Sequence, residues 1–239
     1  MMYNSKRKAR AYADMIKVDP IKVFAQRPQA IKLLEPLKNR TILDMGCGDG
    51  TIARMIAARG ADVVGYDTSR EQIRLAKTGR AENPSDIRYF VSSPEKFTYK
   101  KKFDKALAVM VLCYSKDKKE LQKIFDSTYP LLKKGGSFVV LDLNSDKIEF
   151  GKNRFGRIFT KGSDGKATIE FRIPGARPFK GAITLFSQSD LESCGRAAGF
   201  KSITRKKLKP QQKGIGVLGK SYWKEFERSS FWLWFIFKK

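Results

Sequence analysis

Residues 40–50, RTILDMGCGDG, decide how this chain of 239 residues folds. Residues 41–43 are β-formers in a short apolar run, which predicts a buried strand that ends at Asp44. Alternate glycines follow and allow a tight turn in which the backbone can approach a ligand closely. The stretch therefore predicts a strand that leads into a ligand-binding turn.

A helix and a second strand continue the pattern after this turn. Apolar residues recur at helical spacing up to Gly60, and residues 62–66 form a strand-like run that ends at Asp67. The unit is strand, glycine turn, helix, strand and acid, which is the layout of a nucleotide-type cofactor site. In such a site the acid accepts hydrogen bonds from ribose hydroxyls, which assigns that role to Asp67. A βαβ unit without any ligand is the alternative.

The glycine spacing and the acid before it indicate the charge of the ligand. Gly46, Gly48 and Gly50 form a G-x-G-x-G pattern, whereas a dinucleotide site has G-x-G-x-x-G. Asp44 lies just before the turn, where a carboxylate repels a pyrophosphate and attracts an amino group or a sulfonium. The sequence therefore favours a cationic ligand over a dinucleotide.

Two motifs at this spacing resemble the class I S-adenosylmethionine-dependent methyltransferases. Ile42–Gly50 is similar to their first motif, and Val63–Thr68 is similar to their second. The resemblance implies an α/β fold with a Rossmann-like, seven-stranded, mostly parallel sheet, an antiparallel last strand and helices on both faces. It also implies that S-adenosyl-L-methionine is the cofactor and that its methyl group passes to a nucleophile by in-line displacement.

The same resemblance implies which residues contact the cofactor. Asp44 and the glycine turn are expected at its methionine end. Thr68 and Ser93 border the adenine, and Met110–Leu112 form the floor of the adenosine pocket. Ser93 stands where many relatives have an acid, so its hydroxyl would give adenine a neutral and weaker hydrogen bond. Tyr12 either lies near the methionine end or packs on the apolar face of its own helix. The expected cofactor contacts are Tyr12, Asp44, Gly46, Cys47, Gly48, Asp67, Thr68, Ser93, Met110 and Val111.

The class of acceptor rests on charge and on missing signatures. The net charge of +25, from 49 Lys+Arg against 24 Asp+Glu, would attract RNA, an acidic membrane or anionic substrates. The basic runs are scattered and are not interleaved with aromatic residues, as a nucleic-acid stacking surface requires. Met110–Tyr114 lacks the Asp/Asn-Pro-Pro-Tyr signature of enzymes that methylate flipped bases, and no cysteine follows a proline. A small-molecule acceptor is therefore predicted, with ribosomal or transfer RNA as the alternative.

Residues 145–186 interrupt the alternation of strands and helices. Residues 157–160 and 168–173 are strand-like, and the turn signal Gly162–Gly165 lies between them. The pattern predicts an inserted β-hairpin that half-covers the substrate pocket. This hairpin and the sequence of residues 187–200 resemble those of small-molecule methyltransferases of the toxoflavin and quinone-biosynthesis types. The return from the hairpin is assigned to Pro174, Gly175, Pro178 and Gly181.

The C-terminal part of the chain is expected to complete the sheet. Residues 209–220 indicate a basic, glycine-bearing loop, and residues 222–228 indicate a helical turn. Residues 231–237 are all bulky and apolar, which predicts a strand covered on both faces. The family places such a strand between the fifth and sixth strands. A membrane-surface anchor flanked by Lys238 and Lys239 is the alternative.

The whole chain, residues 1–239, is expected to form a single methyltransferase domain. Residues 1–39 form its N-terminal helical cap, and residues 40–144 form its cofactor-binding core. Residues 145–186 are the insertion, and residues 187–239 complete the sheet.

No catalytic residue is assigned from the sequence. The chain contains no histidine, which removes histidine bases and most zinc sites, and no metal site is predicted. A base is needed only if the acceptor loses a proton during transfer. Candidates by position are Asp142, Glu149, Tyr12 and Tyr222.

Cysteine usage points to the compartment. Cys47, Cys113 and Cys194 lie far apart and are odd in number, so reduced thiols in a cytoplasmic protein are expected. Apolar runs are too short to span a bilayer, and the first residues do not resemble a signal peptide.

Overall fold

The computed structural model describes residues 5–79 and 87–239, and the strands of this part form two sheets. Seven strands make the central sheet, in the order tenth, eleventh, fifth, fourth, first, second and third, and the other four make a smaller sheet in chain order. The strands are β1 (Thr41–Met45), β2 (Asp62–Asp67), β3 (Arg88–Val91), β4 (Phe103–Val109), β5 (Leu132–Leu143), β6 (Asn153–Arg154), β7 (Arg157–Lys161), β8 (Lys166–Phe171), β9 (Phe179–Thr184), β10 (Ser202–Lys207) and β11 (Trp232–Lys238).

Helices connect most strands of the central sheet. A single π-helical turn, Lys22–Gln26, leads directly into the second helix. Within the described residues the α-helices are α1 (Lys6–Val18), α2 (Arg27–Leu34), α3 (Thr51–Ala57), α4 (Arg70–Thr78), α5 (Lys118–Thr128), α6 (Gln188–Ala197) and α7 (Gln212–Ser229). None of them is both long enough and apolar enough to cross a membrane.

The pairing of the strands confirms the predicted Rossmann-like sheet. Strand β1 lies parallel to β2 and β4, and β3 and β5 extend the sheet in parallel on either side. Strand β11 lies antiparallel between β5 and β10, as expected for the last strand. Its Trp234, Phe235 and Phe237 are completely buried, so this apolar segment is an inner strand of the sheet and not a surface anchor.

Side-chain alternation along the strands separates two apolar layers. Ile42 of β1 packs in a cluster with residues of α1, α2, α3 and α7, together with the smaller sheet. Leu43, the next residue, packs on the opposite face with residues of α5 and α6. Because strand side chains alternate between faces, each position of β1 and β5 can be assigned to one layer. The same alternation determines whether an acid on these strands faces the N-terminal segment or the opposite layer.

The N-terminal segment is helical, as predicted, and is interrupted at Asp19. The N–H of Asp19 bonds to the carbonyl of Met15 as α1 ends, and its carboxylate accepts the N–H of Ile21 at 3.1 Å. Arg27 at the start of α2 donates to the carbonyl of Ile16 at 2.7 Å and ties the two helices together. Pro28 lies in the first turn of α2, directly after the π-helical turn. The segment is therefore a cap of two joined helices, hereafter the cap.

The insertion contains the predicted hairpin and two further strands. Strands β7 and β8 pair antiparallel around the turn at residues 162–165, which confirms the hairpin. The assignment of Gly181 to an irregular return is wrong, because residues 179–184 form β9 and pair with β8. Phe179 and Ile183 of β9 are buried and alternate with exposed residues. This alternation covers only a few residues and directly follows prolines, so the sequence pattern did not reveal a strand. Strands β6–β9 are called the inserted sheet below.

The loop predicted for residues 209–220 is wrong from residue 212 onward, because α7 begins there, whereas the helical structure predicted for residues 222–228 is confirmed as part of this longer helix. The helix is kinked at Gly219, whose φ of 83° and ψ of 155° are non-helical. Trp223 is buried and donates its indole N–H to the carbonyl of Gly214 at 2.7 Å. A side chain at Gly214 would meet the Cβ of Phe24 at 2.6 Å, so this glycine permits close packing against the cap. Tertiary packing thus overrides the low helix propensity of the glycines.

Candidate functional site

The turn between β1 and α3 holds three glycines in the left-handed region. Gly46, Gly48 and Gly50 have φ values of 61°, 56° and 75°, which favour glycine. A Cβ on Gly46 would lie 2.7 Å from a methyl group of Val111, so this glycine is required by internal packing. A Cβ on Gly48 would meet only the amide oxygen of Gln72, at 3.9 Å. The open side of the turn, where a ligand can approach, is therefore at Gly48.

Asp44 is a buried acid beneath this turn with one oxygen unsatisfied. It lies on the same face of β1 as Ile42, toward the cap, and is 3% exposed. Its carboxyl accepts the N–H of Ala53, while Oδ2 has no hydrogen-bond partner. Burial, together with the charges of Asp67 and Asp49, raises its pKa to about 8. Since buried polar atoms are normally paired, Oδ2 is a ready acceptor for a cationic group.

Asp67 joins the end of β2 to the glycine turn. One oxygen accepts the N–H of Gly48 at 3.0 Å, and the other accepts the N–H of Ser69 at 2.8 Å. Burial raises the pKa of Asp67, although these backbone N–H groups partly oppose the shift. Each carboxylate oxygen accepts more than one hydrogen bond, so ribose hydroxyls can still be bound. Thr68, the next residue, is exposed.

Cys47 contributes backbone rather than its thiol to this turn. Its N–H donates to the carbonyl of Tyr66 at 3.0 Å. Its sulfur packs against β2, where a Cβ on Gly65 would lie 3.1 Å from it. Burial, together with the nearby acids, raises the pKa of the Cys47 thiol, so the thiol stays protonated.

The segment after β4 closes another side of the site. Met110 has a φ of 57°, and its N–H donates to the carbonyl of Leu141 at 2.8 Å. Val111 follows and packs against Gly46, as described above. Asp142 holds this segment from the other side, because its carboxylate accepts the N–H of Cys113 at 3.1 Å. Met110 and Val111 are thus brought next to the glycine turn.

Ser93 lies in the turn after β3. Its carbonyl accepts the N–H groups of Lys96 and Phe97 at 3.1 Å and 3.0 Å. Its hydroxyl donates to Glu95, and this bond lowers the pKa of that carboxyl. The hydroxyl oxygen of Ser93 retains lone pairs that can accept one further hydrogen bond.

Tyr12 of α1 lies at the junction of the cap and the inserted sheet. Its ring centroid is 5.5 Å from that of Phe179 in β9, and the ammonium of Lys22 lies 5.6 Å from its ring centre. Tyr12 also borders a narrow cavity of about 10 Å³, which it shares with Met110. The contact with Phe179 shows that Tyr12 packs between the cap and the inserted sheet, and its place near the methionine end of the cofactor stays a prediction. The cavity, called the junction cavity below, is lined by Tyr12, Lys22, Gln26, Met110, Tyr114, Arg157, Ile169, Phe171, Ile183 and Trp232.

The other candidate bases lie away from this cavity. Asp142 is on the face of β5 that packs with α5 and α6, because it pairs with Leu233 on that face; burial raises its pKa to about 7. Glu149 forms surface ion pairs with Lys152 at 2.9 Å and Arg154 at 3.2 Å. Tyr222 packs edge-on against Phe155 at 5.3 Å. Only Tyr12 of the four candidates lines the junction cavity.

Sequence reasoning missed two cations of the cap, Arg27 and Lys22. Burial lowers the pKa of Arg27, while Asp49 in the glycine turn raises it, so this guanidinium lies within electrostatic reach of the turn. Lys22 is buried beside the junction cavity. A single basic residue in a chain of such positive charge gives no sequence signal. In the part of the chain that the structure describes, no cluster of three or more acids or cysteines could hold a metal ion.

A seven-stranded sheet with an antiparallel last strand, and a glycine turn between two buried acids, defines a class I methyltransferase fold. A methyltransferase dependent on S-adenosylmethionine from Mesorhizobium loti superposes with a TM-score of 0.66, at 18% identity, covering 94% of this chain and 100% of that one. The N-methyltransferase NodS of Bradyrhizobium japonicum WM9, solved with S-adenosyl-L-homocysteine, superposes with a TM-score of 0.58, at 15% identity, covering 90% of this chain and 85% of that one.

The chain belongs to a methyltransferase domain family, whose model matches residues 19–205. The predicted membership of the S-adenosylmethionine-dependent methyltransferases, with that compound as the cofactor of the family, is confirmed. A ubiquinone biosynthesis O-methyltransferase of Pelagibacter ubique (strain HTCC1062) is 37% identical over 110 residues, which are 46% of this chain and 45% of that protein. One of Brucella ovis (strain ATCC 25840 / 63/290 / NCTC 10512) is 31% identical over 129 residues, 54% of this chain and 50% of that protein. The chain thus spans about half the length of these curated relatives.

Proposed function

We propose that this protein binds S-adenosylmethionine at the glycine turn and transfers its methyl group to a small organic acceptor. The observation that carries the proposal is the unpartnered oxygen of Asp44 beside the open side of Gly48. A buried, unpaired carboxyl oxygen fits a cationic ligand and does not fit the pyrophosphate of a dinucleotide. The residues present therefore fit this cofactor.

The methionine end of the cofactor carries one positive and one negative group. Asp44 would hold the amino group, and the backbone of Gly46, Cys47 and Gly48 would follow the chain of the ligand. Arg27 supplies the positive charge for the carboxylate, because it lies within electrostatic reach of the turn.

The adenosine end would lie between β2 and the segment after β4. Asp67 takes the ribose hydroxyls with the lone pairs that Gly48 and Ser69 leave free. Thr68 and the hydroxyl of Ser93 border the adenine. Met110 and Val111 form the floor, held in place from below by Asp142.

The bound cofactor supplies an activated methyl group, so the protein supplies alignment. Proximity and orientation of two reactants account for several kcal/mol of a barrier of this kind, about 7–11 kcal/mol in well-oriented cases. Residues of the cap and of the inserted sheet together line the junction cavity. Of the four candidate bases, Tyr12 is the one that lines this cavity.

A small molecule is the acceptor class that the surroundings of the cavity favour. Most of the cavity lining is aromatic or aliphatic, which is typical of small-molecule sites and not of a nucleic-acid surface. The two curated relatives named above are ubiquinone biosynthesis O-methyltransferases, and neither name refers to RNA. The RNA alternative therefore has no support beyond the net charge.

The proposal treats residues 1–239 as one methyltransferase domain in the cytoplasm. The location is supported by the cysteines, since Cys47, Cys113 and Cys194 are all buried as free thiols.

Transfer of a labelled methyl group tests the proposed function. The protein is incubated with S-adenosylmethionine that carries a radiolabelled methyl group and with cell extract, which is then separated into small-molecule, RNA and protein fractions. We expect label in the small-molecule fraction and heat of cofactor binding by calorimetry. Label confined to RNA overturns the acceptor class, and the lack of both binding and label overturns the function itself.

A further inference from the structure

The junction cavity is lined by more positive charge than its own acids neutralise. The ammonium of Lys22 and the guanidinium of Arg157 both border it, from the cap and from β7 respectively. Arg157 is 1% exposed and forms an ion pair with Asp19, which is completely buried. Charge from Arg157 and Lys22 outweighs the effect of burial and keeps the pKa of Asp19 low, so the acid is ionised. Two cations thus share one anion.

Lys22 is the cation left without a partner acid. It is 9% exposed, and its ammonium contacts the amide oxygen of Gln26 at 3.5 Å and faces the ring of Tyr12. Among the described residues, no carboxylate lies within the 4.0 Å of an ion pair with Lys22. A buried ammonium is costly unless a charged partner compensates for its lost hydration.

A second unpaired donor belongs to another residue that lines the same cavity. The Nε of Arg157 is buried and has no hydrogen-bond partner, although the rest of the guanidinium is bonded to Asp19 and to the carbonyl of Phe155. The guanidinium is held between the rings of Phe171 and Trp232, whose centroids are 5.6 Å and 5.4 Å from it. The orientation of Arg157 is therefore fixed, and this residue, which lines the cavity, keeps one buried N–H without a hydrogen-bond partner.

A π-helical turn in the backbone of the cap places Lys22 at this position. Lys22 and Gln26 are the first and last residues of the π-helical turn, and both side chains are buried. Single π turns in helices occur frequently at functional sites. This turn brings a cation and an amide together on the side of the cap that faces the inserted sheet.

We propose that Lys22 recognises an acidic group of the methyl acceptor, so that the acceptor is a planar aromatic molecule with a carboxylate. This inference rests on the proposed function, and it names the substrate class of the same site. The rings of Tyr12, Tyr114, Phe171 and Trp232 supply flat apolar walls, and Met110 joins the cavity to the expected cofactor site. At about 10 Å³ the cavity is too small for such a molecule, so binding requires the cap and the inserted sheet to separate.

A pair of probes that differ only in charge tests this inference. Binding of 4-hydroxybenzoate and of 4-hydroxybenzamide is measured by calorimetry, with and without S-adenosyl-L-homocysteine. Wild-type protein is expected to bind the benzoate about tenfold or more tightly than the amide, as a charge-assisted hydrogen bond implies. Lys22→Met is expected to lose this preference and Lys22→Arg to keep it. Lys32→Met, at an exposed position of α2, is the matched control and should behave as wild type.

The outcomes separate this inference from the proposed function. Failure of wild-type protein to bind S-adenosyl-L-homocysteine counts against the function, whereas the benzoate preference measured without it still decides the role of Lys22. Equal binding of the two probes by wild type overturns the inference, as does a preference that survives in Lys22→Met. Absence of binding by both probes overturns it as well. Affinity for S-adenosyl-L-homocysteine and the circular dichroism spectrum establish that each variant is folded.

Discussion

The glycine turn and the junction cavity are neighbouring parts of one site with opposite electrostatic character. The turn is surrounded by the acids Asp44 and Asp67, and an oxygen of Asp44 lacks a partner. The cavity is lined by Lys22 and Arg157, and an N–H of Arg157 lacks a partner. Each region therefore holds an unsatisfied group of the sign that its expected ligand would complement. The difference indicates that the glycine turn is suited to a cationic ligand group and the junction cavity to an anionic one.

The largest effect at a single pH is expected at the buried ion pair beside the cavity, between Asp19 and Arg157. Asp19→Asn leaves Arg157 and Lys22 buried without any acid, so we expect a loss of about 3–5 kcal/mol in the free energy of unfolding. Urea denaturation followed by circular dichroism measures this loss. Asp14→Asn is the control, because its ion pairs with Arg10 and Lys17 are exposed, and it should cost less than about 1 kcal/mol. Equal stabilities of the two variants would show that the cavity is not electrostatically strained.

Removal of the charge of Asp44 in the glycine turn should raise the free energy of unfolding instead of lowering it, and the size of this gain should depend on pH. Burial raises the pKa of Asp44 from the ordinary value of an aspartate, about 4, to about 8, so its contribution to stability is complete at low pH and is lost as pH rises from about 4 through 8. Asp44→Asn should therefore gain stability relative to wild type over this window, by at most about 1.4 kcal/mol per pH unit. Unfolding titrations at several pH values measure the difference.

The same group should release a proton when the cofactor binds. A cationic amino group beside Asp44 lowers the pKa of the carboxyl, so binding at pH 7 expels a proton in wild type and not in Asp44→Asn. Calorimetry in buffers of different ionisation enthalpy detects this proton. Wild-type binding heats that do not depend on the buffer would contradict the assignment of Asp44.

A smaller effect is expected at the ribose. Asp67→Ala removes charge-assisted hydrogen bonds to the hydroxyls, so affinity for S-adenosylmethionine should fall by about 1–3 kcal/mol. Asp62→Ala, at the other end of β2, is the matched control because its partner Arg88 lies at the surface. Unchanged affinity of the Asp67 variant in calorimetry would remove Asp67 from the cofactor site.

The smallest effect concerns the two glycines of the turn. Gly48→Ala should cost about 1–2 kcal/mol in unfolding free energy, because only its positive φ is strained. Gly46→Ala should cost more, because its Cβ would also meet Val111 at 2.7 Å. Thermal unfolding of both variants measures the order, and a reversed order would show that Gly48 is the one confined by packing.

The same contrast explains what could be predicted from the sequence. The glycine turn is local, since Asp44, Gly46 and Gly48 lie within a few residues and Asp67 follows one helix later. Periodicity and turn chemistry therefore revealed both the central sheet and this half of the site. The junction cavity joins α1, the π turn and the inserted sheet, so Lys22 and Arg157 are far apart in the chain. No pattern in a single sequence predicts that these two residues lie at the same cavity.

The errors in the elements have a related cause. Strand β9 follows two prolines, and α7 contains three glycines before Tyr222, so local propensity argued against both elements. Burial of Phe179 and Ile183 in β9, and of Trp223 and Phe226 in α7, overrides that propensity. This burial comes from contacts with the cap and the sheet, which are distant in sequence. Local sequence patterns therefore do not predict it.

The inner position of β11 has a consequence for the order of folding. Strand β10 pairs only with β11, and one edge of β5 does so too, so both lack a partner until residues 232–238 are in place. Pairings that join distant parts of a chain form slowly, and unpaired strand edges are prone to aggregation. The most apolar strand of the sheet is thus the last to be synthesised in this chain. A nascent chain that ends before Trp232 leaves β10 unpaired and one edge of β5 open, which makes it a natural substrate for chaperones.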